Sequence, residues 1–371
     1  MRVLMISKAC LVGAYQRKLE EIAAYLDVEL AVFVPPEWRE PRGGTLRLER
    51  AYVRGYTLQA LPMAFNGNFH LHFYPSLGRE LDRFRPDVVH IDEEPYNLAT
   101  FHATLLARRS GARALFFTWQ NHHRHYPPPF NWMERCVYRW SAYGLAGNQE
   151  AVQVLRAKGY AGPLKLIPQF GVDPELFQPR RQRDAGQALS IGYVGRLVEE
   201  KGVALLLQAA AGLNGLWRLY ILGSGPQREE LHHLAHELGI AAQVIFDDPI
   251  PSTQMSAYYA GLDVLVLPSR TRPNWKEQFG RVLVEAMACG VPVIGSSCGE
   301  IPNVIGQAGR VFPEDDVLAL REHLACLQRD EALWSELAQR GRQRVLQHYT
   351  QARIAAETVG VYRELRGDRH L

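Results

Sequence analysis

The sequence has few lysines, few cysteines and no long apolar run. Only six of the 42 basic residues are lysines, so a lysine inside a motif is a more specific signal than an arginine. The five cysteines are widely spaced and form no CxxC pair, which argues against a disulfide framework or a zinc site. No apolar run approaches the roughly 20 residues of a membrane span, and the opening "MRVLMIS" turns polar at Ser7 and Lys8 before a signal-type core forms. These features favour a cytoplasmic globular protein.

Length and charge distribution restrict the interpretation further. The 371 residues exceed what one compact core usually organises, which predicts two domains. The net charge of +3 is uneven, because residues 1–170 hold 21 Lys and Arg against 15 Asp and Glu, a net charge of +6, whereas the remainder carries −3. A basic first half favours an anionic partner, such as headgroups at the inner face of a membrane or a phosphorylated acceptor. An indifferent solvated surface is the alternative.

Short apolar runs alternate with helical patterns along the chain, and the alternation occurs twice. The first set of runs lies at 2–6, 28–35, 87–92, 114–119 and 144–148, and the second set lies at 189–197, 218–226, 242–248, 263–269 and 291–297. Such alternation builds a parallel sheet with helices on both faces. The sequence therefore predicts an α/β fold of two Rossmann-like, doubly wound domains that face each other across a cleft, with ligands at the carboxyl ends of both sheets.

The domain boundary is predicted from composition. The stretch "IPQFGVDPELFQPRRQRDAGQ" (167–187) is rich in proline, glycine and charge, which is typical of a linker. We expect an N-terminal domain at 1–170, a C-terminal domain at 171–352, and a final helix at 353–371 that packs back on the N-terminal domain.

Two glycine-containing turns follow apolar runs of the second set. In "GYVGRLVEEKG", Gly195 ends a strand. Arg196 and Lys201 can contact a diphosphate from either side, Arg196 through its planar guanidinium and Lys201 through its compact ammonium group. Solvated charges on a turn are the alternative. In "GSGP", Gly223 and Gly225 permit close approach of a ligand, but the third glycine of GxGxxG is missing, so a nicotinamide fingerprint is not made.

The stretch "EQFGRVLVEAMACGVPVIGSS" carries two glutamates eight residues apart. A helix that begins near Arg281 presents its positive end, with the N–H groups of Phe279 and Gly280, to an anion. Glu285, one turn into the helix, can accept hydrogen bonds from vicinal hydroxyls such as those of ribose, while Glu277 can meet a second polyol or a phosphate edge. The structural alternative is a solvent-facing Glu285 on an ordinary helix.

These motifs together resemble a known enzyme family. "GRLVEEKG", "GSGP" and the E-x7-E stretch, in that order, look like the nucleotide-sugar half of retaining GT-B glycosyltransferases of family 4, also called glycosyl transferases group 1. "IPQFGVDPELF" is similar to the linker of such enzymes. The resemblance covers nearly the whole chain and is strongest from Gly192 to Asn303.

The resemblance implies a metal-independent, retaining hexosyltransferase without a cofactor, whose donor substrate is a nucleoside-diphosphate sugar. It assigns donor binding to the C-terminal domain and acceptor binding to the N-terminal domain. The implied catalytic residues are Arg196 and Lys201, which hold the diphosphate and stabilise the leaving group, and Glu277, which touches the donor sugar and the distal phosphate. The implied donor-binding residues are Gly13, Gly195, Gly223, Gly225, Phe279, Gly280 and Glu285. The donor base, the sugar, the acceptor and the oligomeric state stay open.

The N-terminal half departs from the family pattern. Gln120 or Asn121 stands where many relatives carry a histidine, with His122 directly after, and Asp92 replaces a second histidine in "DVVHIDEEPYN". These four residues are candidates for an acceptor-binding or helper role. The histidines of "NHHRHYPPPF" also permit a metal site, although a loop at the rim of a cleft is the favoured interpretation. The aromatic stretch "FNGNFHLHFYP" (65–75) predicts either a packed loop or a surface that stacks on sugars or bases.

Other functions remain open from sequence. The basic first half with its aromatics permits a nucleic-acid-binding module or a nucleic-acid-directed sugar transferase. An epimerase or a phosphorylase-like enzyme is the nearest rival within the fold, but no pyridoxal-type lysine motif is recognised. A catalytically silent relative is the third alternative, because Gln120 departs from the family pattern.

Overall fold

The computed structural model describes residues 1–40, 44–179 and 187–367. The chain forms two compact units. The first comprises Met1–Gly171 together with the chain from Gln351 onward, and the second comprises Val172–Thr350. Part of the predicted linker, residues 180–186, lies outside the described residues.

The first unit is built on a parallel sheet. Its strands in chain order are β1 (Arg2–Ile6), β2 (Glu29–Val34), β3 (Glu37–Arg39), β4 (Thr45–Arg47), β5 (Thr57–Ala60), β6 (Val88–Ile91), β7 (Arg113–Thr118), β8 (Tyr143–Ala146) and β9 (Leu164–Leu166). Seven of them pair in the order β5-β2-β1-β6-β7-β8-β9, always in parallel. Strands β3 and β4 form a separate antiparallel pair.

Helices cover both faces of this sheet. They are α1 (Arg17–Ala23), α2 (Leu77–Phe84), α3 (Leu98–Ser110), α4 (Phe130–Trp140), α5 (Gln149–Ala157) and, at the end of the chain, the helix Gln351–Arg366. Successive side chains of β1 point to opposite faces. Val3 and Met5 belong to the core cluster that includes α1 and the final helix, whereas Leu4 and Ile6 belong to the cluster with α2 and α3. A strand buried on both faces reads as a continuous apolar run, which is why "RVLMI" was recognisable from sequence.

Strand order defines where the first unit can bind a ligand. From β1 the chain passes to β2 and β5 on one side, and β6 then begins the series on the other side. Helices therefore leave β1 and β6 in opposite directions, and a crevice opens at their carboxyl ends. The residues that follow these strands are Ser7 and Lys8 after β1, and Asp92 and Glu93 after β6.

The second unit repeats the design. Its strands are β10 (Leu189–Val194), β11 (Trp217–Leu222), β12 (Val244–Asp247), β13 (Val264–Leu267), β14 (Val293–Ser296) and β15 (Arg310–Phe312). Its helices are α6 (Val203–Ala211), α7 (Arg228–Glu237), α8 (Met255–Ala260), α9 (Arg281–Ala288), α10 (Ile301–Ile305), α11 (Val317–Arg329) and α12 (Glu331–His348), so the final helix Gln351–Arg366 is α13. The strands pair in parallel in the order β12-β11-β10-β13-β14-β15, and the switch point lies between β10 and β13.

The predicted fold class, two Rossmann-like α/β units, is confirmed. Sequence patterns located the long buried strands but missed β3, β4, β5, β9 and β15, which have three or four residues each. Strands this short give no recognisable alternation, and "TLQA" and "LKL" include polar residues because they lie near or at a sheet edge. Within residues 1–40, 44–179 and 187–367, no helix combines the length and apolarity needed to cross a bilayer.

Candidate functional site

Two glycine-rich loops meet at the carboxyl ends of β10 and β11. The N–H of Leu197 donates to the carbonyl of Ser224 at 2.9 Å, so the loops are hydrogen-bonded to each other. A Cβ on Gly223 would lie 1.8 Å from the Gly195 carbonyl oxygen, and one on Gly225 would lie 2.2 Å from that of Leu197. These glycines therefore permit the loops to pack backbone to backbone, whereas the sequence suggested only close approach of a ligand.

Lys201 and Glu277 form the central ion pair of the second unit. Lys201 lies in a short 3₁₀ turn, Glu199–Lys201, ahead of α6, and its Nζ is 2.5 Å from Glu277 Oε2. The hydroxyl of Ser269 donates to the same oxygen at 3.0 Å, and the Lys201 ammonium lies 4.9 Å from the centre of the Trp275 ring. The side chains of Lys201 and Glu277 are 16% and 11% exposed. Two residues 76 positions apart thus form a fixed charge pair that still reaches solvent.

The backbone around Glu277 is held by the loop after β14. The N–H of Glu300 donates to the Glu277 carbonyl at 3.0 Å, and the Glu277 N–H donates to Cys298 Sγ at 3.5 Å. Gly299 has φ +55°, and a Cβ there would lie 2.2 Å from the Glu277 carbonyl oxygen. The carboxylate position is therefore fixed by the tertiary structure rather than by the local sequence.

Arg196 is less constrained than Lys201. Its side chain is 49% exposed, and its guanidinium lies 3.7 Å from Glu200, four residues along the chain. Arg196 and Lys201 were grouped by their spacing, and the structure gives each a different carboxylate partner. An exposed pair of this kind contributes little to stability, so the guanidinium can reorient at small cost.

The segment that begins α9 contains the other predicted residues of this unit. Gly280 caps α9 with φ +75°, a conformation that favours glycine, and Phe279 packs edge-on against Tyr349 with ring centres 5.7 Å apart. Glu285 is 6% exposed, so the alternative of a solvent-facing residue is wrong. Arg281 Nε lies 2.7 Å from Glu285 Oε1, and the Tyr259 hydroxyl donates to Oε2 at 2.8 Å.

Tyr259 is an obligatory donor to Glu285. Burial, together with the adjacent Glu285 carboxylate, raises the pKa of the Tyr259 hydroxyl well above its ordinary value, so the phenol keeps its proton. Each carboxylate oxygen has two lone pairs. Glu285 therefore has acceptor capacity beyond Arg281 and Tyr259.

Gly13, predicted to contact a phosphate, already has a carboxylate partner. Its N–H donates to Glu49 Oε2 at 2.6 Å, and a Cβ at this position would lie 2.8 Å from the same oxygen. Gln16 connects the segment before Gly13 with the segment that contains Glu49, because its side-chain amide donates to the carbonyls of Cys10 and Glu49. A phosphate that used the Gly13 N–H would have to displace Glu49, so the assignment of Gly13 stays a prediction.

Four further candidates follow β6 and β7. Asp92 is 4% exposed and accepts a hydrogen bond from the Ser7 hydroxyl at 2.6 Å. Gln120 is 6% exposed, accepts from Lys158 Nζ at 3.1 Å and donates to the Tyr126 hydroxyl at 3.3 Å. Asn121 is buried and His122 is half-buried. The amide of Gln120 is thus part of a polar network with Lys158 and Tyr126, and its role toward a ligand stays a prediction.

Two glutamates that the sequence interpretation passed over lie beside Asp92. Glu94 accepts from the Thr118 hydroxyl at 2.5 Å and from the Trp119 N–H at 2.9 Å, and burial raises its pKa to about 7. Glu93 Oε2 lies 3.6 Å from both Lys8 Nζ and His72 Nε2; burial alone would raise the pKa of Glu93, but these two groups lower it to about 2. Three successive acidic residues after an apolar run were the available signal, because this run ends at the binding edge of a parallel sheet.

The histidines of 122–125 do not form a metal-binding group. In the part of the chain that the structure describes, no group of three or more His, Cys, Asp or Glu is arranged to hold a metal ion. His123 and His125 pack edge-on, with ring centres 4.8 Å apart.

Comparison with known proteins identifies relatives by sequence. The model of the family glycosyl transferases group 1 matches residues 177–344. The GDP-mannose-dependent alpha-(1-6)-phosphatidylinositol monomannoside mannosyltransferase of Mycolicibacterium smegmatis is 29% identical over 288 residues, which are 70% of this chain and 74% of that protein. The D-inositol 3-phosphate glycosyltransferase of Mycobacterium tuberculosis is 35% identical over 169 residues, which are 42% of this chain and 34% of that protein. The nucleic-acid alternative receives no support from these relatives.

Solved structures share the fold along the whole chain. Sucrose-phosphate synthase from Thermosynechococcus elongatus gives a TM-score of 0.73 at 20% identity and covers 100% of both chains. The Anabaena protein HepE in complex with UDP gives a TM-score of 0.74 at 16% identity and covers 98% of this chain and 100% of that chain. The two Rossmann-like units are therefore those of the GT-B fold. Residues 177–344 thus match the glycosyl transferases group 1 by sequence, and the whole chain shares the GT-B fold of these solved structures.

Proposed function

We propose that this glycosyltransferase is a metal-independent, retaining enzyme that transfers a hexose from a nucleoside-diphosphate sugar. The observation that carries the proposal is the Lys201–Glu277 pair at the carboxyl edge of the second sheet, 2.5 Å apart and partly open to solvent. A fixed cation there can neutralise a departing diphosphate. The HepE structures with UDP and with UDP-glucose, and the GDP-mannose dependence in the name of the mycobacterial relative, support a nucleotide-sugar donor without choosing its base.

The donor would bind along the loops of the second unit. Lys201 and Arg196 would contact the diphosphate, with Arg196 turning from Glu200 to do so. Gly195, Gly223 and Gly225 would shape the floor of the site. Side chains at Gly223 and Gly225 would disrupt the contact between the two loops, and one at Gly195 would meet the Tyr193 hydroxyl. The arrangement offers one fixed and one mobile cation, and this suits a leaving group whose charge increases during the reaction.

The donor's sugars would bind at the segment that begins α9. Glu285 would accept hydrogen bonds from the ribose hydroxyls with its remaining lone pairs. Glu277 would contact the transferred sugar, while the N–H groups of Phe279 and Gly280 at the start of α9 would meet the distal phosphate. Because Arg281 and Tyr259 fix both oxygens of Glu285, the ribose would meet a carboxylate that is already oriented.

The reaction would proceed on one face of the transferred sugar. The bond between the anomeric carbon and the diphosphate oxygen breaks, and the acceptor hydroxyl oxygen forms a bond to the same face of that carbon. The acceptor's proton passes to the departing phosphate oxygen, so no general base on the protein is needed. Gly13, Asp92, Gln120, Asn121 and His122 would contribute from the first unit, Gly13 to the donor phosphate and the others to acceptor binding or to assisting the reaction.

The decisive test is donor binding to the intact chain. UDP-, GDP- and ADP-sugars are added separately without metal, and the melting temperature and slow donor hydrolysis are measured. A ligand that binds the native state raises the melting temperature by mass action. We expect one base to stabilise the protein, and Lys201→Met to abolish hydrolysis, whereas Lys165→Met in β9 serves as the matched control. If all three donors leave both quantities unchanged, or if hydrolysis requires an added divalent cation, the proposal is wrong.

A membrane surface is the proposed partner of the first unit. Helices α3 and α4 present an aromatic face on which Phe101 contacts Trp132 and Trp140, with ring centres 5.1 and 5.8 Å apart. Trp132 is 55% exposed, and the Arg108 guanidinium lies 5.4 Å from the Trp140 ring centre. Arg109, Arg135 and Arg139 on the same two helices are also exposed, and their one acidic residue, Glu134, is paired with Lys158 at 2.7 Å. Exposed tryptophan and unopposed arginine favour the interface of an anionic bilayer.

Vesicle binding distinguishes this surface from an indifferent one. Phosphatidylcholine vesicles are compared with vesicles that also contain phosphatidylglycerol. We expect binding only to the anionic vesicles, lost at high salt and weakened by Trp132→Ser. Phe65→Ser, at another exposed aromatic residue of the first unit, is the control. Equal binding to both kinds of vesicle, or full binding by the Trp132 variant, would contradict the proposal that this surface binds an anionic membrane.

A further inference from the structure

The 3₁₀ turn that carries Lys201 is packed against the loop that joins β13 to α9, residues 268–280. The N–H of Arg270 in this loop donates to the Glu200 carbonyl at 2.8 Å, so the backbones of the loop and the 3₁₀ turn are hydrogen-bonded. A Cβ on Gly202 would lie 2.0 Å from a carbonyl oxygen of the loop, and only glycine permits this approach. The position of Lys201 therefore depends on a segment that is distant in the chain.

Two side-chain contacts extend this attachment. The Arg272 guanidinium forms an ion pair with Glu199, and the centre of the Trp275 ring lies 4.9 Å from the Lys201 ammonium. Arg272 and Trp275 close a tight turn within the loop, because the N–H of each donates to the carbonyl of the other, at 2.8 and 3.1 Å. The ring is therefore held opposite the ammonium by a closed backbone turn that is itself ion-paired to the 3₁₀ turn.

The other edge of the loop is attached to the segment that follows β15. Thr271 donates to both oxygens of the Glu314 carboxylate, its N–H at 2.5 Å and its hydroxyl at 2.8 Å. Arg270 forms an ion pair with Asp315. An exposed ion pair contributes little to stability by itself, but contacts at both edges restrict the conformations of the loop that carries Trp275.

The indole ring acts on the ammonium differently from the Glu277 carboxylate. A lysine ammonium is a point charge with three donors on a flexible stem. Glu277 Oε2, 2.5 Å away, accepts from one of them, whereas the face of an aromatic ring attracts the cation without neutralising it. Ordinary packing is the alternative, since Trp275 is half-buried against the core cluster that includes α9. The two roles have different requirements, because the cation needs an aromatic face and packing needs apolar volume.

We infer that Trp275 is a positioning residue, which holds the Lys201 ammonium in place for the departing diphosphate. The inference rests on the proposed function and adds a residue that acts on the reaction through Lys201. A charge that is fixed before the reaction stabilises a developing negative charge without reorganisation. Because the charge of the leaving group is greatest in the transition state, loss of the ring should reduce turnover more than donor binding.

Replacement of Trp275 by phenylalanine and by leucine separates the two roles. Both variants lose part of the indole volume, but only phenylalanine keeps an aromatic face. Hydrolysis of UDP-glucose, GDP-mannose and ADP-glucose by the intact chain is measured, and kcat and KM are determined for the donor that is hydrolysed. We expect Trp275→Leu to lower kcat about threefold to thirtyfold with KM changed less than about twofold, and Trp275→Phe to keep kcat within about twofold. Equal losses in both variants, an unchanged kcat in Trp275→Leu, or a loss confined to KM would overturn the inference.

Tryptophan fluorescence provides a readout that does not depend on turnover. Indole emission is sensitive to charges beside the ring, so binding of UDP, GDP or ADP at Lys201 should alter the emission of Trp275. This change should be lost in Trp275→Phe and kept in Trp217→Phe, which replaces a buried tryptophan of β11. A change that persists in full in Trp275→Phe would contradict the inference. A nucleotide that raises the melting temperature of the unmodified chain without altering its emission would contradict it as well.

The unmodified chain separates this inference from the proposed function. If it hydrolyses none of the three donors and no nucleotide raises its melting temperature, the proposed function fails and the inference fails with it. If it hydrolyses a donor while the two Trp275 variants behave alike, only the inference is wrong. Melting temperatures without nucleotide are measured for every variant, and the emission test on Trp275→Phe remains decisive if Trp275→Leu does not fold.

Discussion

Replacement of Lys201 by methionine tests the central ion pair of the second unit. Methionine keeps much of the length and apolar volume of the lysine side chain and removes its charge. In the variant, Glu277 would keep the Ser269 hydrogen bond of 3.0 Å but would lose the ammonium group 2.5 Å away. Because the Glu277 backbone is hydrogen-bonded to Glu300 and Cys298, the carboxylate cannot move far toward water.

The size of the effect follows from the burial of the pair. Removing one partner of a fully buried pair costs roughly 3–5 kcal/mol, and an exposed pair is worth roughly 0–1 kcal/mol. The side chains of Lys201 and Glu277 are 16% and 11% exposed, which is close to the buried limit but leaves some solvation of the carboxylate. We therefore expect Lys201→Met to lower the free energy of unfolding by about 2–3 kcal/mol.

A double-mutant cycle measured by urea unfolding isolates the interaction. Lys201→Met combined with Glu277→Gln should be more stable than Lys201→Met alone, because no uncompensated carboxylate is left. The coupling energy should be about 1–3 kcal/mol. A coupling below about 0.5 kcal/mol would be that of a surface pair and would refute the account of this site. Turnover provides a separate readout, since Lys201→Met should depress it more than donor binding if the charge acts on the leaving group.

Four other substitutions test other parts of the structure. Glu285→Ala should weaken nucleotide-sugar binding by about 1.5–3 kcal/mol, measured by calorimetry, and unchanged affinity would contradict the ribose role. Glu94 has a folded pKa of about 7 against an ordinary 4.5, so its protonated form is favoured by folding, and its contribution to stability declines as pH rises from 4.5 to 7. Glu94→Gln should remove a decline of about 3 kcal/mol across this window in urea titrations, and an unchanged pH slope would show that Glu94 does not titrate there. Gly223→Ala should destabilise the protein by more than about 2 kcal/mol, because its Cβ would lie 1.8 Å from the Gly195 carbonyl oxygen. Gly360→Ala, in a helix with nothing within 4 Å of the new Cβ, should instead be neutral or stabilising in the same melts.

Local sequence was sufficient for the predictions that depend on neighbouring residues. The buried strands of both sheets gave continuous apolar runs, and two series of them gave two Rossmann-like units. The carboxyl end of each strand then indicated where ligands can bind, because parallel strands place these ends on one edge. Gly280 was correctly placed before the helix that begins at Arg281, since glycine commonly caps a helix that starts from a tight turn.

Predictions that depended on distant partners were less complete. Arg196 and Lys201 were treated as one unit because of their spacing, yet the structure pairs them with Glu200 and Glu277. Glu93 and Glu94 were passed over, although the pKa of Glu93 is lowered to about 2 and the pKa of Glu94 is raised to about 7. Glu93 lies near Lys8 and His72, whereas Glu94 accepts hydrogen bonds from Thr118 and Trp119 at the end of β7.

The sequence by itself thus determined the fold class, and it predicted the family resemblance and the sheet edges at which ligands are expected to bind, because apolar periodicity and short motifs are properties of contiguous residues. Only the tertiary structure decided which charges are paired, which carboxylates are buried and which aromatic side chains are exposed. The physical reason is that burial and ion pairing depend on distances between residues far apart in the chain, such as the 76 positions that separate Lys201 from Glu277.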